Sequence, residues 1–143
     1  MIVRNILVRG LKTIPHEATM LEAEGILKEF RIRHLPVMEK GKIVGIISDR
    51  DVLEATSVLS NQEKMIYKHR KVSEFMSTPV IMMNINEDVE KVAFEMINQG
   101  VSSIVIQDEN QNPVGILTTS DLLAVLIDLL NKQTGLFKRL FRF

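Results

Sequence analysis

The sequence has no cysteine. Disulfides, thiolate catalysis and cysteine-based zinc sites are therefore excluded. It also has no surplus of either charge: 18 Lys+Arg balance 18 Asp+Glu, for a formal net charge of zero. A protein that holds nucleic acid by bulk charge shows a basic excess, which argues against a nucleic-acid partner. No apolar run reaches the length of a membrane span. The N-terminus, MIVRNILVRG, lacks the charged start, long apolar stretch and small-residue cleavage site of a signal peptide. A soluble cytoplasmic protein is the expectation. Aromatic residues are scarce at 5%, and with eight methionines the core should be mostly aliphatic and adaptable. There is no Gly-x-x-x-x-Gly-Lys phosphate loop, no nucleophile–base pair and no His/Asp/Glu spacing suited to a metal. An enzyme is not expected, and no cofactor is required. The 143 residues fit one compact domain or two small repeats sharing a core.

What is present is a repeated stretch. GIISDRD, Gly45 to Asp51, returns 70 positions later as GILTTSD, Gly115 to Asp121. Each copy reads as an apolar strand that ends in a hydroxyl residue, Ser48 or Thr118, and opens a helix. The carboxylate three residues on, Asp51 or Asp121, lies in the first turn. A helix start offers free backbone N–H groups and the positive end of the helix dipole, which suits an anionic or polyhydroxyl ligand. The competing reading is a capping box, in which the hydroxyl and the carboxylate satisfy only their own helix.

Around these corners the order strand, helix, strand, strand, helix occurs twice. Residues 3–9 form a lead-in, Lys12 to Ile14 a brief strand, and Thr19 with Glu22 a capping box that starts a helix. Leu35 to Met38 and Ile43 to Ile47 pair across the turn Lys40-Gly41-Lys42, with Pro36 placing its strand at a start or an edge. The apolar run from Ile43 suggests burial on both faces. Residues 60–71 read as a polar linker with some helix. The second unit repeats the scheme with Val72, Phe75 and Met76 as lead-in, a strand from Val80 to Met83, and a helix capped by Asp88 and stopped by Gly100. A hairpin follows, from Ser103 to Ile106 and from Val114 to Leu117. The last helix, Asp121 to Leu130, is apolar almost all round and should be buried on more than one side. Domain limits are repeat 1 at 1–59, linker 60–71, repeat 2 at 72–131 and a tail at 132–143. The fold class is α+β, with the two repeats packed sheet to sheet.

RHLPV (Arg33 to Val37) before GIISDRD, and SSIVI (Ser102 to Ile106) before GILTTSD, resemble the matching segments of a tandem CBS (cystathionine β-synthase) domain pair, a Bateman module. The first half is similar to CBS pairs of the bacterial acetoin-utilisation type. The resemblance implies a regulatory module that binds adenosine-containing ligands in the cleft between repeats: AMP, ADP, ATP or S-adenosylmethionine. It implies that Asp51 and Asp121 accept from ribose hydroxyls, with Ser48 and Thr118 beside them. It places phosphate-binding cations at Arg33 and His34, next to Pro36, with Arg50 in the helix turn. Ser102, Ser103 and Ser120 take the matching places in the second half, and Thr78 and Val80 lie where the adenine is held. An ionised carboxylate accepts from two hydroxyls, and Arg matches phosphate geometry, so the chemistry agrees. The cationic first half suggests a phosphate pole there. Homodimerisation through the helix near 122–130 and an unidentified regulated protein are the expected partners. The tail GLFKRLFRF is read as a subunit contact or a frayed end in preference to a membrane-surface segment.

Overall fold

The structure is a computed structural model, and it describes residues 1–134. The elements are β1 (Ile14–Pro15), α1 (Met20–Glu29), β2 (His34–Glu39), β3 (Lys42–Ser48), α2 (Asp49–Thr56), α3 (Asn61–Lys68), β4 (Met82–Asn84), α4 (Val89–Gln99), β5 (Ser103–Gln107), β6 (Pro113–Thr118) and α5 (Thr119–Thr134). Two 3-10 turns, Val3–Asn5 and Val72–Glu74, are the lead-ins. The architecture is α+β. Each three-stranded sheet, in order β1-β2-β3 or β4-β5-β6, joins a short parallel strand to an antiparallel hairpin. The first hairpin turns on two residues, Lys40 (φ 49°) and Gly41 (φ 75°), both in the left-handed region that a tight hairpin demands.

The chain divides into two compact units that cut across the sequence repeats: Leu11–Ile81, and residues 1–10 together with those from Met82 onward. The cause is an exchange of lead-in turns. The Val3 and Arg4 N–H groups donate to the Glu87 and Ile85 carbonyls, each at 2.9 Å, so the N-terminal turn is sewn to the second repeat. In the other unit, Val72 N donates to the Ala18 carbonyl at 2.8 Å and Met20 N to the Arg70 carbonyl at 2.8 Å. Val3 and Val72 are both fully buried and anchor their turns in the host core. The exchange also explains the glycine that opens each repeated motif. A Cβ on Gly45 would stand 2.9 Å from Met76 Cβ, and one on Gly115 would stand 3.0 Å from the Leu7 methyls.

Several elements depart from the sequence reading. Pro36 lies buried in the central strand of its sheet, not at an edge. It is tolerated because Ile46, its partner across the hairpin, spends its own N–H and carbonyl on Ser77. The Pro36 nitrogen therefore points to the other side, where β1 begins only opposite Val37, and no ladder bond is missed. β3 buries one face completely, through Ile43, Gly45 and Ile47, while Val44 and Ile46 are half-buried. The stretch 60–71 holds a capped helix, α3, whose Ser60 and Glu63 form a capping box and whose Tyr67 joins the core. β4 starts at Met82, two residues later than expected, because it pairs with Val105 to Gln107. Asp88 occupies the N-cap position of α4 without a side-chain cap bond, and Gly100 ends that helix in the left-handed region at φ 66°. α5 is not buried on several sides within this chain. Leu122 and Val125 are half-buried, but Leu123 is 59% and Leu126 49% exposed. The segment GLFKRLFRF lies outside the described residues.

Candidate functional site

At the first corner, β3 ends on Ser48, whose extended backbone turns the chain into α2. Ser48 Oγ accepts from Asp51 N at 3.1 Å, and Asp51 Oδ2 accepts from Ser48 N at 2.8 Å. Asp49 N donates to the Arg33 carbonyl at 3.1 Å, and Arg50 N donates to Asp49 Oδ1 at 2.9 Å. The opening N–H groups of α2 are thus satisfied internally. The expected free donors are not there, because the Arg33 carbonyl, the Asp49 carboxylate and the Ser48 hydroxyl reach them first. What remains open is Asp51 Oδ1, which takes no hydrogen bond among the described residues.

The second corner is built alike. Asp121 Oδ2 accepts from Thr118 N at 2.8 Å and from Thr118 Oγ1 at 2.7 Å. Asp121 N donates back to Thr118 Oγ1 at 3.3 Å, and Thr119 N donates to the Ser102 carbonyl at 3.0 Å. Asp121 Oδ1 is again open among the described residues. Both capping boxes are therefore formed. A hydroxyl-bearing ligand would be met by one carboxylate oxygen whose neighbour is already held.

The unit Leu11–Ile81 gathers the first set of expected site residues. His34 lies directly across the hairpin from Ser48, and Pro36 follows two positions along β2. Arg33 is 74% exposed with its Nε 3.9 Å from Asp49 Oδ2, so its charge is partly offset but accessible. Arg50 is exposed in the first turn of α2. Thr78 and Val80 follow Ser77, which pairs antiparallel with Ile46. The other unit holds Thr118, Ser120 and Asp121, with buried Ser103 across the hairpin from Thr118 and exposed Ser102 just before β5. No group of three or more His, Asp or Glu among the described residues could hold a metal ion.

Sequence reasoning passed over Tyr67. It sits on α3 with 5% exposure, and its hydroxyl has no hydrogen-bond partner among the described residues. Burial, then the Glu24 and Asp51 carboxylates, push its phenol up to about 12. The available signal was a lone aromatic in the polar stretch SNQEKMIYKHRK. Beside it lies an open cavity of about 260 Å³ lined by Ala55, Leu59, Glu63, Ile66, Tyr67, Arg70 and Phe75. The charges there are committed: Arg70 forks onto Glu74, and Glu63 accepts from Ser60 N at 2.7 Å.

The profile of the CBS domain matches residues 3–57 and 72–128. The chain belongs to the CBS-domain family. The two matched segments make it a tandem CBS pair, and α3 falls in the gap between them. L-aspartate semialdehyde sulfurtransferase of Methanocaldococcus jannaschii is 33% identical over 122 residues, 85% of this chain and 22% of the relative. The chain spans only 22% and 24% of the first two curated relatives it matches, so their names describe much larger proteins. Among solved structures, a CBS domain pair in complex with 5′-methylthioadenosine and S-adenosyl-L-methionine is 28% identical with a TM-score of 0.74, covering 88% of this chain and 95% of that one. A putative acetoin utilisation protein from Vibrio cholerae shares the fold at 24% identity and a TM-score of 0.76, covering 94% and 96%. CBS pairs are regulatory modules, not catalytic ones.

Proposed function

We propose that this CBS pair is a regulatory module that binds an adenosyl metabolite and makes or breaks no bond. The observation that carries the reading is the repeated corner, an Asp held by its own helix cap with Oδ1 left to accept a hydroxyl. A CBS pair of 28% identity bound to 5′-methylthioadenosine and S-adenosyl-L-methionine supports the ligand class. Asp51 and Asp121 are the proposed ribose residues. Ser48, Arg33, His34, Arg50 and Pro36 surround the first, and Thr118, Ser103 and Ser120 the second. The exposed guanidinium of Arg33 favours phosphate-bearing ligands, AMP, ADP or ATP, at the first corner. Thr78 and Val80 remain proposed adenine contacts. The module acts in the cytoplasm, as a homodimer joined through the apolar residues of α5, on a separate regulated protein.

A second reading is a ligand-free scaffold. The internally satisfied caps favour it, as do the exposed Leu123, Leu126, Ile127 and Leu129 on α5. Thermal unfolding with AMP, ADP, ATP, 5′-methylthioadenosine and S-adenosylmethionine separates the two. A ligand that binds only the folded state raises the midpoint by mass action, about 2.7 kcal/mol at a hundredfold excess over Kd. No shift with any of the five refutes the sensor and leaves the scaffold.

A further inference from the structure

The two corners share a cap but differ in charge and in where the hydroxyl proton goes. Ser48 Oγ accepts from Asp51 N at 3.1 Å and donates to nothing among the described residues, so its proton is open to an anion. Thr118 Oγ1 gives its proton to Asp121 Oδ2 at 2.7 Å. Arg33 and Arg50 stand exposed at the first corner, where the second has Ser102 and Ser120. From Val92 to Asn131 the chain has no Lys, Arg or His, against five acids: Glu95, Asp108, Glu109, Asp121 and Asp128. The other cations among the described residues of that unit are engaged elsewhere. Arg4 bonds to Asn86 and Glu109 in the turn between β5 and β6, and Asp108 of that turn is held low by bonds from Asn112 and Asn110 and by the charge of Arg9. The turn closes the end of the hairpin away from Ser103 and Thr118, about 13 Å along β5. Lys91 pairs with Glu87 at 2.8 Å in the first turn of α4, about 12 Å from the helix end that leads into β5. Lys132 pairs with Asp128 at 2.8 Å, about 20 Å along α5 from Thr119.

Ser103 adds an independent observation. It is only 8% exposed, yet its hydroxyl makes no hydrogen bond among the described residues. It lies directly across the hairpin from Thr118, so both side chains stand on one face of the sheet. In the first repeat that place belongs to His34. A buried hydroxyl without a partner gains by meeting a polar ligand atom. We propose that the second corner takes a phosphate-free adenosyl ligand, neutral or cationic at its 5′ substituent, and that Asp121 and Ser103 select it. A 5′-phosphate there would face the Asp121 carboxylate with no cation to offset it, and like charges across an interface reject the wrong partner. A thioether meets no such repulsion, and a sulfonium is attracted. The proposal deepens, and rests on, the ribose assignment given above.

The test uses the full chain, stripped of bound metabolite, with AMP and 5′-methylthioadenosine as probes in calorimetry. Asparagine at either corner keeps an acceptor for the cap. With Asp51→Asn silencing the first corner, the protein should bind 5′-methylthioadenosine about tenfold or more tighter than AMP. Adding Ser120→Arg, at an exposed position matched to Arg50, should narrow that preference by about tenfold, the value of one hydrogen bond to a charged group. Asp51→Asn protein that binds the two ligands equally, or binds neither, overturns the selection. A preference that Ser120→Arg leaves unchanged overturns it too. The ribose assignment is read separately: it falls if the Asp51→Asn/Asp121→Asn double variant binds either ligand as the parent does.

Discussion

Replacing Asp121 by alanine should destabilise the ligand-free protein more than replacing Asp51. The Asp51 side chain accepts one bond, from Ser48 N at 2.8 Å. Loss of a helix cap costs about 0.5–2 kcal/mol, typically ~1. Asp121 accepts two bonds, from Thr118 N at 2.8 Å and Thr118 Oγ1 at 2.7 Å. The second adds about 0.5–1.5 kcal/mol, so the expected loss at Asp121 is roughly 2 kcal/mol. For a chain of this size each kcal/mol moves the midpoint by about 2–4 °C. Asp51→Ala should therefore melt about 2–4 °C below the parent and Asp121→Ala about 4–8 °C below. Thermal unfolding followed by circular dichroism, on protein stripped of any bound metabolite, measures both. The asparagine variants keep an acceptor oxygen and should recover most of the loss while binding no nucleotide at that corner. A midpoint for Asp121→Ala at or above that of Asp51→Ala would show that these carboxylates do not cap as described.

Gly45→Ala should cost about 1–3 kcal/mol by forcing Met76 from its seat, read as a lower denaturation midpoint at unchanged slope. A neutral variant would contradict the close approach of that lead-in turn. Tyr67 is the sole tyrosine and there is no tryptophan, so the ultraviolet band of phenolate reports it alone. Its pKa is raised to about 12 by burial, Glu24 and Asp51, against about 10 for a free phenol, so the folded state resists losing the proton. That stability is complete below pH ~10 and declines between ~10 and ~12, and titration at 10 in the folded protein would refute it. Leu126→Arg places a charge among exposed apolar residues of α5 and should convert a dimer to monomer in sedimentation experiments. A dimer that survives it does not use this face.

Much of the site was legible because it is local. Ser48 with Asp51 and Thr118 with Asp121 lie three residues apart, within the reach of a capping box. The competition between capping and ligand binding was also visible there. Its outcome was not, because it turns on Asp49 and on the carbonyls of Arg33 and Ser102, which reach the helix starts from just before β2 and β5. Pro36 was misplaced for a similar reason. Its tolerance depends on where β1 begins and on Ser77, 41 residues along the chain.

By itself the sequence determined the strand and helix order, the place of the first hairpin turn, the paired corners and the family, since each depends on spacing within a few residues or on repetition. The tertiary structure alone decided that each lead-in turn joins the other repeat. It alone buried Tyr67 of a polar segment and left the apolar residues of α5 outward. These outcomes rest on burial against distant partners, such as Val3 at Glu87 and Val72 at Ala18. Apolar burial has no preferred direction along the chain and depends only on which surfaces meet.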